Sequence, residues 1–234
     1  MDVAGKTAVV LGGTSGIGLA AVHQLAAKGA QVIAVSRYPS KAGELPDGVT
    51  TEACDVLDRD AMAALFARCG PYEILVSSAT GGGRAVGPFL EMDMDGFEGS
   101  FRKVWGYANT VRYGAEHLSE DGAIVLVSGT PARKIRPGMI AIGAAGAAIE
   151  SMVTSLAPEI APRRINVVSP GMIDTPINPL EGEARAKAYA DATANNIIPR
   201  AGTADEVAQA ILFVIENDFV TGTTVDVDGG WLLS

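Results

Sequence analysis

Two short stretches of this chain carry residue types and spacings suited to chemistry. The first is Gly12-Gly13-Thr14-Ser15-Gly16-Ile17-Gly18, which follows the apolar run Thr7 to Leu11 and leads into Ile17, Ala20, Ala21 and Leu25 at helical spacing. Strand, tight turn and helix in that order make a phosphate cradle, because backbone N–H groups and a helix N-terminus converge on one spot. Gly12 and Gly13 permit backbone angles that a Cβ forbids, Gly16 lets a pyrophosphate approach the main chain, and Gly18 lets the helix pack close to the strand. Thr14 and Ser15 are placed to cap that helix, and with Ile17 they count as cradle residues. The second stretch is Ser36-Arg37, at the end of the apolar run that starts at Gln31. An acidic side chain there would bind ribose hydroxyls, whereas a neutral residue followed by Arg leaves room for a 2′-phosphate and supplies a cation. The pair points to NADP(H) as cofactor. Asp55, which ends a third short run, can accept a hydrogen bond from an adenine amino group.

The elements that must hold these groups follow from periodicity. Short apolar runs at 7–11, 31–36, 49–56, 73–78, 122–128, 164–169 and 224–227 read as strands. Helical patterns occupy 58–69, 96–118, 138–156 and 203–216, after the first helix. Strands alternating with helices predict an α/β fold, a Rossmann-like doubly wound parallel seven-stranded sheet with helices on both faces. Gly81-Gly82-Gly83 leaves the backbone after the fourth strand open to close approach by cofactor or substrate. Residues 172–200 mix polar and apolar side chains, with prolines near both ends and a short helix around 183–191, and read as a substrate-covering lid.

Composition narrows the function classes. The 234 residues fit a single domain, and an apolar fraction of 48% is ample for a core. A net charge of −9 argues against nucleic-acid and anionic-membrane surfaces, which leaves small metabolites as partners. The opening MDVAGKTAVV has no basic segment before a long apolar core, and no run is expected to reach the roughly 20 apolar residues of a membrane span, so the chain is expected to be cytoplasmic. Cys54 and Cys69 are expected as reduced thiols. His23 and His117 lie far apart, each in a predicted helix, and no metal site is expected.

Over nearly its whole length the chain resembles the short-chain dehydrogenase/reductase family. The matching pieces are GGTSGIG at 12–18, Asp55-Val56, IVLVS at 124–128, INVVSPGMIDT at 165–175 and TGTTVDVDGG at 221–230. The resemblance implies that Pro170, Gly171, Ile173 and Thr175 contact the nicotinamide half of the cofactor, and that Ser78, Ala79 and Thr80 line the ribose. It also implies pairing into a homodimer or homotetramer through the helices at 96–118 and 138–156, which carry more apolar and small residues than one buried face needs.

The family's working set is a Ser after the fifth strand, a Tyr and a Lys four residues apart on the next helix, and an Asn on the helix before. Here Gly129, Ile142 and Gly146 stand at the Ser, Tyr and Lys positions, and Lys103 is the best match at the Asn position. Gly143 and Gly146 mark close packing or an opened volume, and Gly146 leaves room for Lys103. A partly desolvated ammonium can protonate or stabilise an alkoxide, and desolvation lowers its pKa toward the working range of an acid. Ser128 is the natural hydroxyl donor, with Thr130 as substitute. Tyr107, Arg133 and Lys134 are secondary candidates, and Tyr189 is a candidate cover for the substrate. The expected function is an NADP(H)-dependent oxidoreductase of a small carbonyl or alcohol built on Lys103; the alternative is a cofactor-binding protein without turnover.

Overall fold

In Thr7–Leu11 (β1), Ala8 and Val10 point to one side of a sheet and Val9 and Leu11 to the other, and all four are buried. A strand apolar on both faces belongs at the centre of a parallel sheet with layers above and below. The computed structural model, which describes residues 1–134 and 136–234, places it there. The chain continues through Gly16–Ala27 (α1), Gln31–Ser36 (β2), Val49–Ala53 (β3), Arg59–Cys69 (α2), Tyr72–Ser77 (β4), Met94–Gly114 (α3) and Leu118–Val127 (β5). It ends with Ile140–Glu159 (α4), Arg164–Pro170 (β6), Ile173–Asp174 (β7), Gly182–Thr193 (α5), Gly202–Thr203 (β8), Ala204–Glu216 (α6) and Thr224–Val227 (β9).

Seven strands form one parallel sheet in the order β3-β2-β1-β4-β5-β6-β9. On one face, Ala21 and Leu25 of α1 and Ile211 and Ile215 of α6 pack on Ala8, Val10, Ile74 and Val125. On the other, Phe66 of α2, Tyr107 and Val111 of α3, and Ile149 and Val153 of α4 cover Val9, Leu11, Leu75 and Ile124. After β3 the chain returns to the far side of β1 to make β4, so the strand order reverses between β1 and β4. A crevice opens outside the carboxyl ends of strands at such a reversal.

Several boundaries differ from the sequence reading, each for a local reason. Asp93 accepts hydrogen bonds from the N–H groups of Asp95 and Gly96, so α3 starts at Met94; it ends at Gly114, and β5 opens already at Leu118, so His117 lies in a turn rather than a helix. Residues 172–200 are closed by a second, two-stranded parallel sheet, in which β7 pairs with β8 and brings Ile173 beside Gly202 and Asp174 beside Thr203. Helix α4 is long and apolar enough to cross a membrane by length and composition, against expectation, with a mean hydropathy of 1.5. It is nonetheless a flank of the sheet, laid down through Ala141, Ala145, Ile149 and Val153 at four-residue spacing. Gly143 lets it approach the 130–132 turn: a Cβ there would lie 2.7 Å from the Pro131 carbonyl oxygen.

Candidate cofactor and substrate cleft

A cleft of about 420 Å³ lies over the carboxyl ends of β1, β2, β4, β5 and β6. Its floor is the cradle. Gly12 takes φ +78°, and a Cβ on it would sit 2.8 Å from both the Ala79 nitrogen and Ser78 Oγ. The Ser78 hydroxyl ties β4 to β1 by facing the carbonyl oxygens of Leu11 and Gly12 at 3.3 and 3.4 Å. Gly16 takes φ +51° opposite the Thr175 side chain. Gly13 is glycine for a different reason than expected, since its φ is not positive: a Cβ would lie 2.7 Å from the Val10 oxygen and 3.1 Å from Ala34 Cβ. Gly18 does not line the cleft but, as expected, brings α1 onto β1, with a would-be Cβ only 2.2 Å from the Gly12 oxygen.

The start of α1 is left open. Ser15 occupies the N-cap position with extended backbone, yet its side chain makes no capping bond, and the first turn carries no acid. By contrast Asp58, Asp93 and Thr203 cap α2, α3 and α6 with side-chain oxygens. Uncapped N–H groups at the positive end of a helix dipole, facing a cleft, suit an anion.

At the outer end, Arg37 and Lys41 flank the exposed Tyr38 ring, 6.0 and 4.9 Å from its centroid. Ser36 lines the same end of the cleft, and its Oγ is buried without a hydrogen-bond partner, a polar atom that a phosphate oxygen would satisfy. Asp55 lines the same end, its Oδ1 accepting the Leu57 N–H at 3.0 Å. Beside it the Cys54 thiol has its pKa pushed up to about 11 by burial, which makes it inert. These residues fit an adenine dinucleotide bearing a 2′-phosphate. Lys41 escapes a reading of strand ends because a 3-10 turn over Pro39–Lys41 folds it back beside Arg37.

At the inner end, Lys103 Nζ donates to the Ser128 carbonyl oxygen at 3.2 Å and lies 5.5 Å from the Tyr107 ring centroid. Desolvation, and then the nearby Arg84 guanidinium, bring its pKa down to about 7. The Ser128 hydroxyl turns away from Lys103 and donates to the Gly146 carbonyl oxygen at 3.3 Å. Space beside Gly146 is filled by Ala132 and Ser128, whose Cβ and Oγ lie 3.0 and 3.3 Å from a would-be Cβ, so that glycine does not make room for Lys103, which enters from α3. Thr130 is buried with its hydroxyl toward the Pro170 oxygen.

The secondary candidates have other duties. Tyr107 is fully buried, its hydroxyl donates to the Val127 oxygen at 2.8 Å, and burial drives its pKa well above the ordinary phenol value, so it is no acid. Arg133 is paired with Glu150 and Asp226, and Lys134 holds the C-terminal turn through the carbonyl oxygens of Trp231 and Ser234. Tyr189 is buried beneath α5 and does not line the cleft. From the resemblance set, Pro170, Thr175, Val56, Ser78, Ala79 and Thr80 line the cleft, whereas Gly171 packs against Asp228 and Ile173 against Gly202. Gly81 also lines the cleft, from the glycine run expected to lie open to cofactor or substrate, and Arg84 beside it is the lining residue the sequence reading missed.

A doubly wound parallel sheet with a glycine cradle at its strand reversal defines a dinucleotide-binding class of protein. Comparison with known proteins narrows the class. A family model described as enoyl-(acyl carrier protein) reductase matches residues 12–232. The cyclic-di-GMP-binding biofilm dispersal mediator protein of Escherichia coli K12 is 32% identical, with 97% of each chain covered. L-xylulose reductase of Bos taurus is 31% identical over 99% of this chain and 98% of its own. A crystal structure of a small-chain dehydrogenase in complex with NADPH superimposes with a TM-score of 0.84 at 28% identity, covering 98% of this chain and all of that one. The chain belongs to the short-chain dehydrogenase/reductase family.

Proposed function

We propose that this protein is an NADP(H)-dependent oxidoreductase that interconverts a small carbonyl compound and its alcohol, with Lys103 as the acid. The observation that carries the reading is the Lys103 ammonium in the cleft wall, paired with no carboxylate among the described residues and held near neutrality in pKa. NADPH, when bound, supplies hydride to the carbonyl carbon. The chain does the rest. Open N–H groups of α1 hold the pyrophosphate, and Ser36, Arg37 and Lys41 hold the 2′-phosphate. As the carbonyl π bond opens, Lys103 gives a proton to the oxygen, leaving a neutral amine that solvent reprotonates. Calorimetric titration with NADPH and NADH, then NADPH consumption over a panel of aldehydes and ketones, tests the reading. Tight NADPH binding with turnover supports it.

A second reading is favoured by one observation: Gly129 and Ile142 supply no hydroxyl, and Ser128 and Tyr107 spend theirs on the Gly146 and Val127 oxygens. In that reading the protein binds NADP(H) without turnover, and the panel returns binding alone.

We also propose that the working unit is a homodimer or homotetramer. Only 28% of the apolar window of α4 is buried within one chain, and α3 and α4 share an outward groove containing Val111, Met152 and Leu156. Light scattering at micromolar concentration is expected to give a multiple of the 24.0 kDa chain mass, and a reading of that mass itself overturns the assignment.

A further inference from the structure

Four cations line the cleft, Arg37, Lys41, Arg84 and Lys103, against Asp55 as the one carboxylate among the described lining residues. The phosphates of an NADP(H) are matched at the outer end and at the start of α1. Arg84 and Lys103 stand apart from both, on the connection after β4 and on α3.

Their closeness is built into the backbone. The Ala85 N–H donates to Ser100 Oγ at 2.9 Å, and Ser100 donates in turn to the Gly96 oxygen at 3.1 Å. Gly82 lies so near α3 that a Cβ would meet the Gly99 oxygen at 2.6 Å, and Gly81, at φ +69°, would meet the Arg102 oxygen at 2.9 Å. The segment after β4 is thus fastened along α3 one turn ahead of Lys103, and it delivers Arg84 to the same cavity. Among the described residues no carboxylate pairs with either cation. Lys103 is half-buried and Arg84 is exposed beside it, and like charges held in one cavity repel unless an anion joins them.

We propose that the inner end of the cleft takes a substrate carrying its own negative charge: a 2-oxo acid, its carboxylate on Arg84 and its carbonyl oxygen toward Lys103. The proposal deepens the oxidoreductase reading and, as a substrate assignment, rests on it. A guanidinium fork matches the two oxygens of a carboxylate, and the ammonium acts as a point charge and proton source. In a 2-oxo acid the two groups sit on adjacent carbons, which suits two cations that line one end of the same cavity.

The test compares pyruvate with methyl pyruvate, and phenylglyoxylate with its methyl ester, each with NADPH. The acid is expected to exceed its ester in kcat/KM by about tenfold to a hundredfold, the range a charge-assisted pair provides. Arg84→Met should bring that ratio close to one, and Arg84→Lys should restore part of it. Oxamate, an unreactive mimic of a 2-oxo acid, titrated by calorimetry into the NADP⁺-loaded protein, should bind at least about tenfold more weakly to Arg84→Met. Esters reduced as fast as acids, or oxamate affinity untouched by Arg84→Met, overturns the proposal. If NADPH binds and nothing in the aldehyde and ketone panel turns over, acids and esters included, the oxidoreductase reading fails by itself and the oxamate titration still decides whether the anion site exists; turnover of other carbonyl compounds but of neither acid overturns the 2-oxo-acid proposal.

Discussion

The two ends of the cleft each set a pair of cations beside a tyrosine, and they differ in water. At the outer end Tyr38 is 60% exposed and stands with Arg37 and Lys41 in solvent. At the inner end Tyr107 is wholly buried and Lys103, half-buried, lies over its ring, while Arg84 stands exposed beside them. Similar side chains therefore support different work. Solvated cations gain by pairing with a doubly charged phosphate, which is recognition. A desolvated ammonium is held only weakly in its charged form, so it can give its proton away, which is chemistry.

The largest break in this comparison is expected from Lys103→Met, which keeps the stem and removes the proton. Turnover should fall by roughly 10²- to 10⁴-fold with NADPH affinity little changed, measured by steady-state kinetics and calorimetry. If NADPH binding collapses instead, Lys103 is a ribose clamp. In the unmodified protein the reductive rate should decline as pH rises through about 7, because the donor form of Lys103 is lost there.

A smaller effect is expected at the outer end. Arg37→Ala and Lys41→Ala should each weaken NADPH by about tenfold to a hundredfold and leave NADH almost unchanged, since only the first carries the 2′-phosphate. Equal dissociation constants for the two cofactors in the unmodified protein contradict this assignment.

The smallest effect is on stability, and its sign separates the two ends. An unfolded lysine ionises near 10.4, whereas Lys103 in the fold ionises near 7. Between those values the unfolded chain binds a proton that the folded chain lacks, so stability climbs with pH across that window and the burden of the charge is greatest below about 7. Lys103→Met should therefore raise the melting temperature by a few degrees at pH 6 and leave it unchanged near pH 10.5. Arg37→Ala, in solvent, should leave it unchanged at both pH values.

The sheet and the cradle were legible because their signals are local. An apolar run such as Thr7–Leu11 has no polar face, and Gly12 and Gly16 answer to backbone angles set within a few residues. The inner end was legible only in part. Lys103 emerged through its position, but Arg84 did not, because the glycines before it read as freedom when their function is contact: Gly82 is small so that the segment after β4 can lie on Gly99. The orientation of Ser128 was hidden for a similar reason, since its partner Gly146 is 18 residues away in sequence and meets it only through packing. Close approach between distant backbones leaves no periodic trace.

The uncapped start of α1 ties folding to supply. Three other helices bring their own cap, whereas α1 turns its uncapped first N–H groups to the cleft, where an anion would complete it. A ligand that finishes a helix belongs to the folded state, and at a hundred times its dissociation constant it adds about 2.7 kcal/mol to stability. The abundance of this protein in a cell would then follow the concentration of its phosphate-bearing ligand, with proteolysis removing whatever share of the chains goes without it.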